Sequence, residues 1–114
     1  MDASTERERA LEAILKPGPI ETKLEALDAL DRLALNPSGW FSEPILEKLF
    51  ETRKLIIQSR FALAHVPLEE ARNTIEAFIR VLKDKGQSDA LTHAMAYLDQ
   101  SVRVLSWLDQ RPEE

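Results

Sequence analysis

At 114 residues without a cysteine, the chain is long enough to bury a core unaided, and disulfides, thiolate metal sites and cysteine nucleophiles are excluded. With 44% hydrophobic and 31% charged residues it reads as a folded globule rather than a disordered polymer. Its net charge of −5 argues against nucleic-acid affinity, and even the most basic stretch, residues 45–85 with eight bases against six acids, reaches only +2.

Few β-branched residues and only three glycines, against abundant Leu, Ala, Glu and Arg, point to helix. The first helix is predicted from about Thr5 to Lys16, with Thr5 and Glu8 in capping-box spacing, and Pro17-Gly18-Pro19 ends it. The second covers about Ile20 to Leu35, with Ile20, Leu24, Leu27, Leu30 and Ala34 on one stripe. Asn36-Pro37-Ser38-Gly39 is a turn, after which Ser42 is a natural N-cap and Pro44 a tolerated first-turn residue. The third and longest helix is predicted to end near His65, because a residue preceding proline avoids the helical region.

The fourth helix then runs about Leu68–Lys85 and closes at Gly86. Ser88 caps the fifth, about Asp89–Asp109, with Leu91, Met95, Leu98, Val102 and Leu105 near heptad spacing. No segment alternates as a strand would. The expected fold is all-α: an up-down bundle of four main helices with a short N-terminal one, filling a single domain over 1–114 with residues 1–4 and 111–114 frayed.

One anomaly dominates. Projected at about 100° per residue as one helix, the segment from Ser42 to His65 shows a broad apolar face running from Ile45 and Leu46 to Phe61 and Ala64. Arg53 and Arg60 fall in the middle of it. A buried guanidinium demands a fixed anionic or carbonyl partner. Asp31, centred in the stripe of the second helix, is such a partner, so an internal pair of Asp31 with Arg53 or Arg60 is the leading expectation. One carboxylate hardly satisfies two guanidinium groups, which leaves the surplus arginine for an anionic small molecule or an acid of another chain.

Leu55, on the polar face of the third helix, and Trp107, off the main stripe of the fifth, read as candidate anchors of a protein interface. Trp40 and Phe41 read as a plug at one end of the bundle. Asp89 and His93 stand one turn apart without further ligands, so no metal site is expected, and no cofactor motif occurs. Ser38 lacks a G-x-S-x-G elbow or an evident base, and no enzyme is indicated.

Leu49-Phe50-Glu51-Thr52-Arg53-Lys54-Leu55, followed by Phe61-Ala62-Leu63-Ala64-His65, resembles the first helix of the FadR-type effector domain of GntR-family regulators. The resemblance implies an effector pocket faced by Arg53. The D-x-x-x-H metal pair of that family meets Asp99 with Arg103 here, or Asp89 with His93 ten residues earlier, and its winged-helix half has no counterpart.

The expected function is therefore protein–protein interaction by a non-enzymatic bundle (adaptor, chaperone-like or regulatory), self-associating as a homodimer. The alternative is a regulatory domain binding an anionic ligand. With no run near the roughly 20 apolar residues of a membrane span and no secretory signal in Met1-Asp2-Ala3-Ser4, the location expected is cytoplasmic, without membrane contact.

Overall fold

A computed structural model of the chain describes residues 3–111, and among these the secondary structure is five helices: α1 (Ala3–Leu15), α2 (Lys23–Ala34), α3 (Glu43–Ile57), α4 (Phe61–Lys85) and α5 (Ser88–Asp109). The fold is all-helical, as composition requires. The start of α1 at Ala3 precedes the expected Thr5 and takes in Ala3 and Ser4, against the expectation that residues 1–4 fray; residues 1–2 and 112–114 lie outside the described residues. Arg111 is not loose either, since its guanidinium donates to the Glu21 carbonyl at 2.9 Å and lies 4.8 Å from the Trp107 ring centre.

Helix α2 opens with a capping box. Thr22 Oγ accepts from the Glu25 amide and Glu25 Oε1 accepts from the Thr22 amide, both at 3.1 Å, so two otherwise unpaired donors are satisfied before the first helical turn. Helix α4 ends as its sequence demands, with Gly86 at φ 68° and the Gly86 and Gln87 amides donating back to the carbonyls of Lys83 and Leu82.

The segment expected to form one helix from Ser42 to His65 is instead two. Helix α3 stops at Ile57 in the same motif that ends α4: Ser59 donates to the Ile56 carbonyl, Arg60 to that of Leu55, and Ser59 takes the left-handed conformation at φ 59°. Lys23 fastens this end from α2, its Nζ donating to the Ile57 carbonyl at 3.0 Å and to Ser59 Oγ at 3.1 Å. Conversely, Pro67 does not break the chain. It sits buried inside α4, where packing offsets the loss of a single helical hydrogen bond.

Each helix from α2 to α5 packs on its successor, α2 also meets α5, and α1 lies across α2 and α5. The core they enclose includes Ile14, Leu30, Leu33, Leu49, Ile56, Leu68, Tyr97 and Val104. Its buried Thr52 and Ser101 hydroxyls are satisfied locally, Thr52 by the Lys48 carbonyl at 2.8 Å and Ser101 by that of Tyr97 at 3.0 Å. A radius of gyration of 13.7 Å matches a compact globule of this length.

Candidate functional site

Splitting the third helix removes the premise of buried arginines. Arg60 is an exposed N-cap residue of α4 whose side chain makes no hydrogen bond or ion pair among the described residues, so it pairs with neither Asp31 nor the core. Arg53 is half-exposed, and its Nε meets Asp31 Oδ1 at 2.7 Å, with 42% of the arginine and 50% of the aspartate side chain open to solvent. Asp31 faces outward because the buried side of α2 is carried by Ala26, Ala29, Leu30 and Leu33.

The two contacts that tie α2 to α3 also set their register. Lys23 reaches Ile57 and Ser59 at one end, and Asp31 reaches Arg53 two turns further along α2 and back along α3, so the helices run in opposite directions. At 100° per residue, Leu24, Asp31 and Leu35 share the solvent side of α2, while Phe50, Arg53 and Ile57 share the flank of α3 nearest to it. The outer groove of this pair is thereby lined by Leu24 and Ile57 at one end, Leu35 and Phe50 towards the other, and the ion pair between them. Leu24 is 78% exposed and Phe50 55%. All four side chains are exposed, and clustered exposed apolar residues on a soluble protein frequently mark a functional surface.

The residues expected to anchor an interface are elsewhere. Trp107 is only 4% exposed, inside the core, with its ring edge-on to Phe61 at a centroid distance of 5.5 Å. It lies off the apolar heptad stripe because that stripe does not define the buried face of α5; Met95 and Val102 of the stripe are exposed instead. Leu55 is half-buried against the core. Trp107 is thus not available as a surface anchor, and Leu55 offers only part of its side chain.

A second constellation sits at the other end of α2, where the 36–41 loop meets α5. Ser38 donates its amide to the Tyr97 hydroxyl oxygen at 3.0 Å, the Tyr97 hydroxyl donates to Ser38 Oγ at 2.7 Å, and Ser38 Oγ lies 3.3 Å from His93 Nδ1. A base therefore does stand beside Ser38, 55 residues away in sequence, which local motif reading had no means to find. The two nearest donors for an oxyanion are spent: the Ser38 amide on Tyr97, and the Gly39 amide on the Asn36 carbonyl at 2.8 Å. Burial pushes the Tyr97 hydroxyl above its usual titration range, with hydrogen bonding to Ser38 the smaller, opposing influence.

This network fixes the loop. Asn36, at φ 54°, accepts from the Phe41 amide with its Oδ1 at 2.9 Å and donates to the Phe41 carbonyl with its Nδ2 at 3.2 Å. Trp40 is held between Phe78, Tyr97 and His93, with ring centroids 5.5, 5.6 and 5.7 Å away. The other histidine, His65, links α4 to the end of α5, its Nδ1 3.2 Å from Glu69 and its Nε2 3.0 Å from Asp109. Among the described residues no group of three or more His, Cys, Asp or Glu side chains gathers as a metal site would. No described helix is long and apolar enough to cross a membrane.

No protein-family model, curated protein or solved structure matches the chain. The likeness to the FadR-type effector domain is not carried further by the geometry, since its two sequence phrases fall on different helices and Arg53 faces solvent and Asp31 rather than a pocket.

Proposed function

We propose that the chain is a non-enzymatic protein–protein interaction module that pairs with a second copy of itself through the outer face of α2 and α3. The observation that carries this reading is the row of exposed apolar side chains on that face, Leu24, Leu35, Phe50 and Ile57, interrupted by a half-exposed ion pair. Exposing four large aliphatic and aromatic side chains around one groove is unfavourable for a monomer and suits a covered surface.

Charge complementarity argues for a like partner. Arg53 uses only Nε on Asp31, so its two terminal nitrogens and the second oxygen of Asp31 remain free to pair across a two-fold axis. An interface of ordinary size needs about 800 Å² per partner. The apolar centre supplies part of this, and polar neighbours such as Lys54 and the Asp28–Arg32 pair at 2.5 Å border it. An up-down arrangement of the four main helices, supported by their short connections, leaves this hairpin free to dock. A regulatory or adaptor role in the cytoplasm is the reading most consistent with a small acidic chain lacking cysteine.

Anionic-ligand binding by Arg53 and Arg60 has less support. Arg53 is already paired, and Arg60 stands exposed at the α3–α4 turn. Sedimentation equilibrium tests the proposal. The wild-type chain forms a dimer at micromolar concentration, and Leu24→Glu, at a position too exposed to unfold the monomer, shifts it to monomer. A wild-type chain that stays monomeric at high micromolar concentration overturns it.

A further inference from the structure

We infer that the cleft beside Trp40 is a binding site for a small planar aromatic ring bearing a hydrogen-bonding substituent, such as a phenol or an indole. The cleft has a volume of about 220 Å³ and is lined by Trp40, Phe41, Ser42, Ile45, Thr74, Ile75 and Phe78. It lies where the 36–41 loop and the start of α3 meet the middle of α4, and it uses none of the residues of the α2–α3 outer face.

Three observations converge on it. First, the three aromatic side chains at its wall, Trp40, Phe41 and Phe78, pack against the core yet are only partly buried. Trp40 and Phe78 meet at 5.5 Å with a 55° tilt, and the partly exposed remainder of each ring can take a further edge-to-face or offset neighbour. Second, the loop that presents Trp40 is held in place at a cost. Asn36 adopts a left-handed backbone conformation, both polar ends of its amide are spent on Phe41, and the Ser38–Tyr97–His93 network ties the turn to α5. A hydrophobic plug needs no such fixing of its outer ring. A preorganised wall does.

Third, the polar groups at the rim are few and suitably placed. Ser42 is the N-cap residue of α3 yet makes no capping hydrogen bond, so its hydroxyl is free, and Thr74 Oγ donates to the Glu70 carbonyl at 3.1 Å with its lone pairs left over. Apolar walls with a small number of oriented polar atoms are the composition of a ligand site. The volume admits a single ring, not a drug-sized molecule, whose sites begin at about 300 Å³. A hydroxyl or indole N–H on the ring donates to the Ser42 or Thr74 oxygen while the ring face packs on Trp40.

The amide spectrum of the labelled chain provides the test, because the two tryptophan indole N–H signals are assigned at once by Trp107→Phe. Phenol and indole, added separately, shift the Trp40 indole signal saturably in the millimolar range while the Trp107 signal stays in place. Thr74→Phe, which fills the cleft from an exposed helix position, abolishes the shift with the thermal midpoint of the fold retained; Ile45→Phe fills it from the other wall and serves the same purpose. No saturable shift with either ring overturns the inference, as does an unchanged shift in both filled variants. Equal binding of cyclohexanol, a ring of the same size without an aromatic face, overturns the aromatic class.

Discussion

Arg53 Nε lies 2.7 Å from Asp31 Oδ1, joining α3 to α2 across 22 positions of sequence while about half of each side chain stays in water. Such a pair adds little to monomer stability, because its Coulomb attraction is screened and two long side chains must be ordered to make it. Asp31→Asn and Arg53→Met each lower the unfolding free energy by less than about 1 kcal/mol in urea titrations at concentrations where the chain is dilute. A loss above about 3 kcal/mol would instead indicate a buried pair.

The turn between α3 and α4 makes a sharper demand on one residue. Ser59, at φ 59°, occupies the position that glycine takes at the end of α4. Ser59→Gly removes the left-handed strain but also a hydrogen bond from Lys23, so stability changes by well under about 1 kcal/mol. Ser59→Val places a β-branched residue in the left-handed region and costs about 1–2 kcal/mol. Denaturant midpoints in the order Gly, wild type and Val, with Gly and wild type close together, are expected; a harmless valine would contradict the motif.

That turn also explains what the sequence revealed and what it concealed. The helix type, the stop at Gly86 and the link from Asp31 to Arg53 follow from spacing and residue chemistry, whereas the stripe from Ile20 to Ala34 meets the buried side of α2 only at Leu30; Ala26, Ala29 and Leu33 carry the rest of that side while Leu24 is exposed. The break at residues 58–60 was hidden because serine, not glycine, holds the left-handed position, with Lys23 supplying support from another helix. The clue was present in another form. An apolar face too wide for one helix, with two arginines at its centre, is the signature of two helices whose buried sides are out of phase. Pro67 misled in the opposite direction, since local preference yielded to the packing of a buried residue in α4. Trp107 misled through an apolar stripe, Leu91 to Leu105, that lies to one side of the buried face of α5 rather than along it. The Ser38–His93–Tyr97 network joins residues 55 and 59 positions apart, beyond any local pattern.

Tyr97 gives the fold a pH dependence on the alkaline side. It is the only tyrosine, so the tyrosinate absorbance of the native chain reports it alone. Burial favours the neutral hydroxyl and raises its pKa in the folded state. The folded chain therefore keeps a proton that the unfolded chain sheds near pH 10, and the associated stability is complete below about pH 10 and lost as pH rises through the folded-state value. The native titration midpoint lies above the ordinary tyrosine value, and Tyr97→Phe removes this part of the alkaline loss. A midpoint at or below the ordinary value would contradict the buried placement.

Self-docking through the α2–α3 face is tested most directly by mixing two charge-reversed chains. In Asp31→Arg the face carries two positive groups, and in Arg53→Asp two negative ones, so each variant alone opposes its own copy across a two-fold axis. Sedimentation equilibrium is predicted to give monomers for either variant alone and a one-to-one dimer for the mixture, with opposite charges facing at every position. Dimers that persist in each variant separately, or a mixture that remains monomeric while the wild type dimerises, would contradict pairing through Asp31 and Arg53.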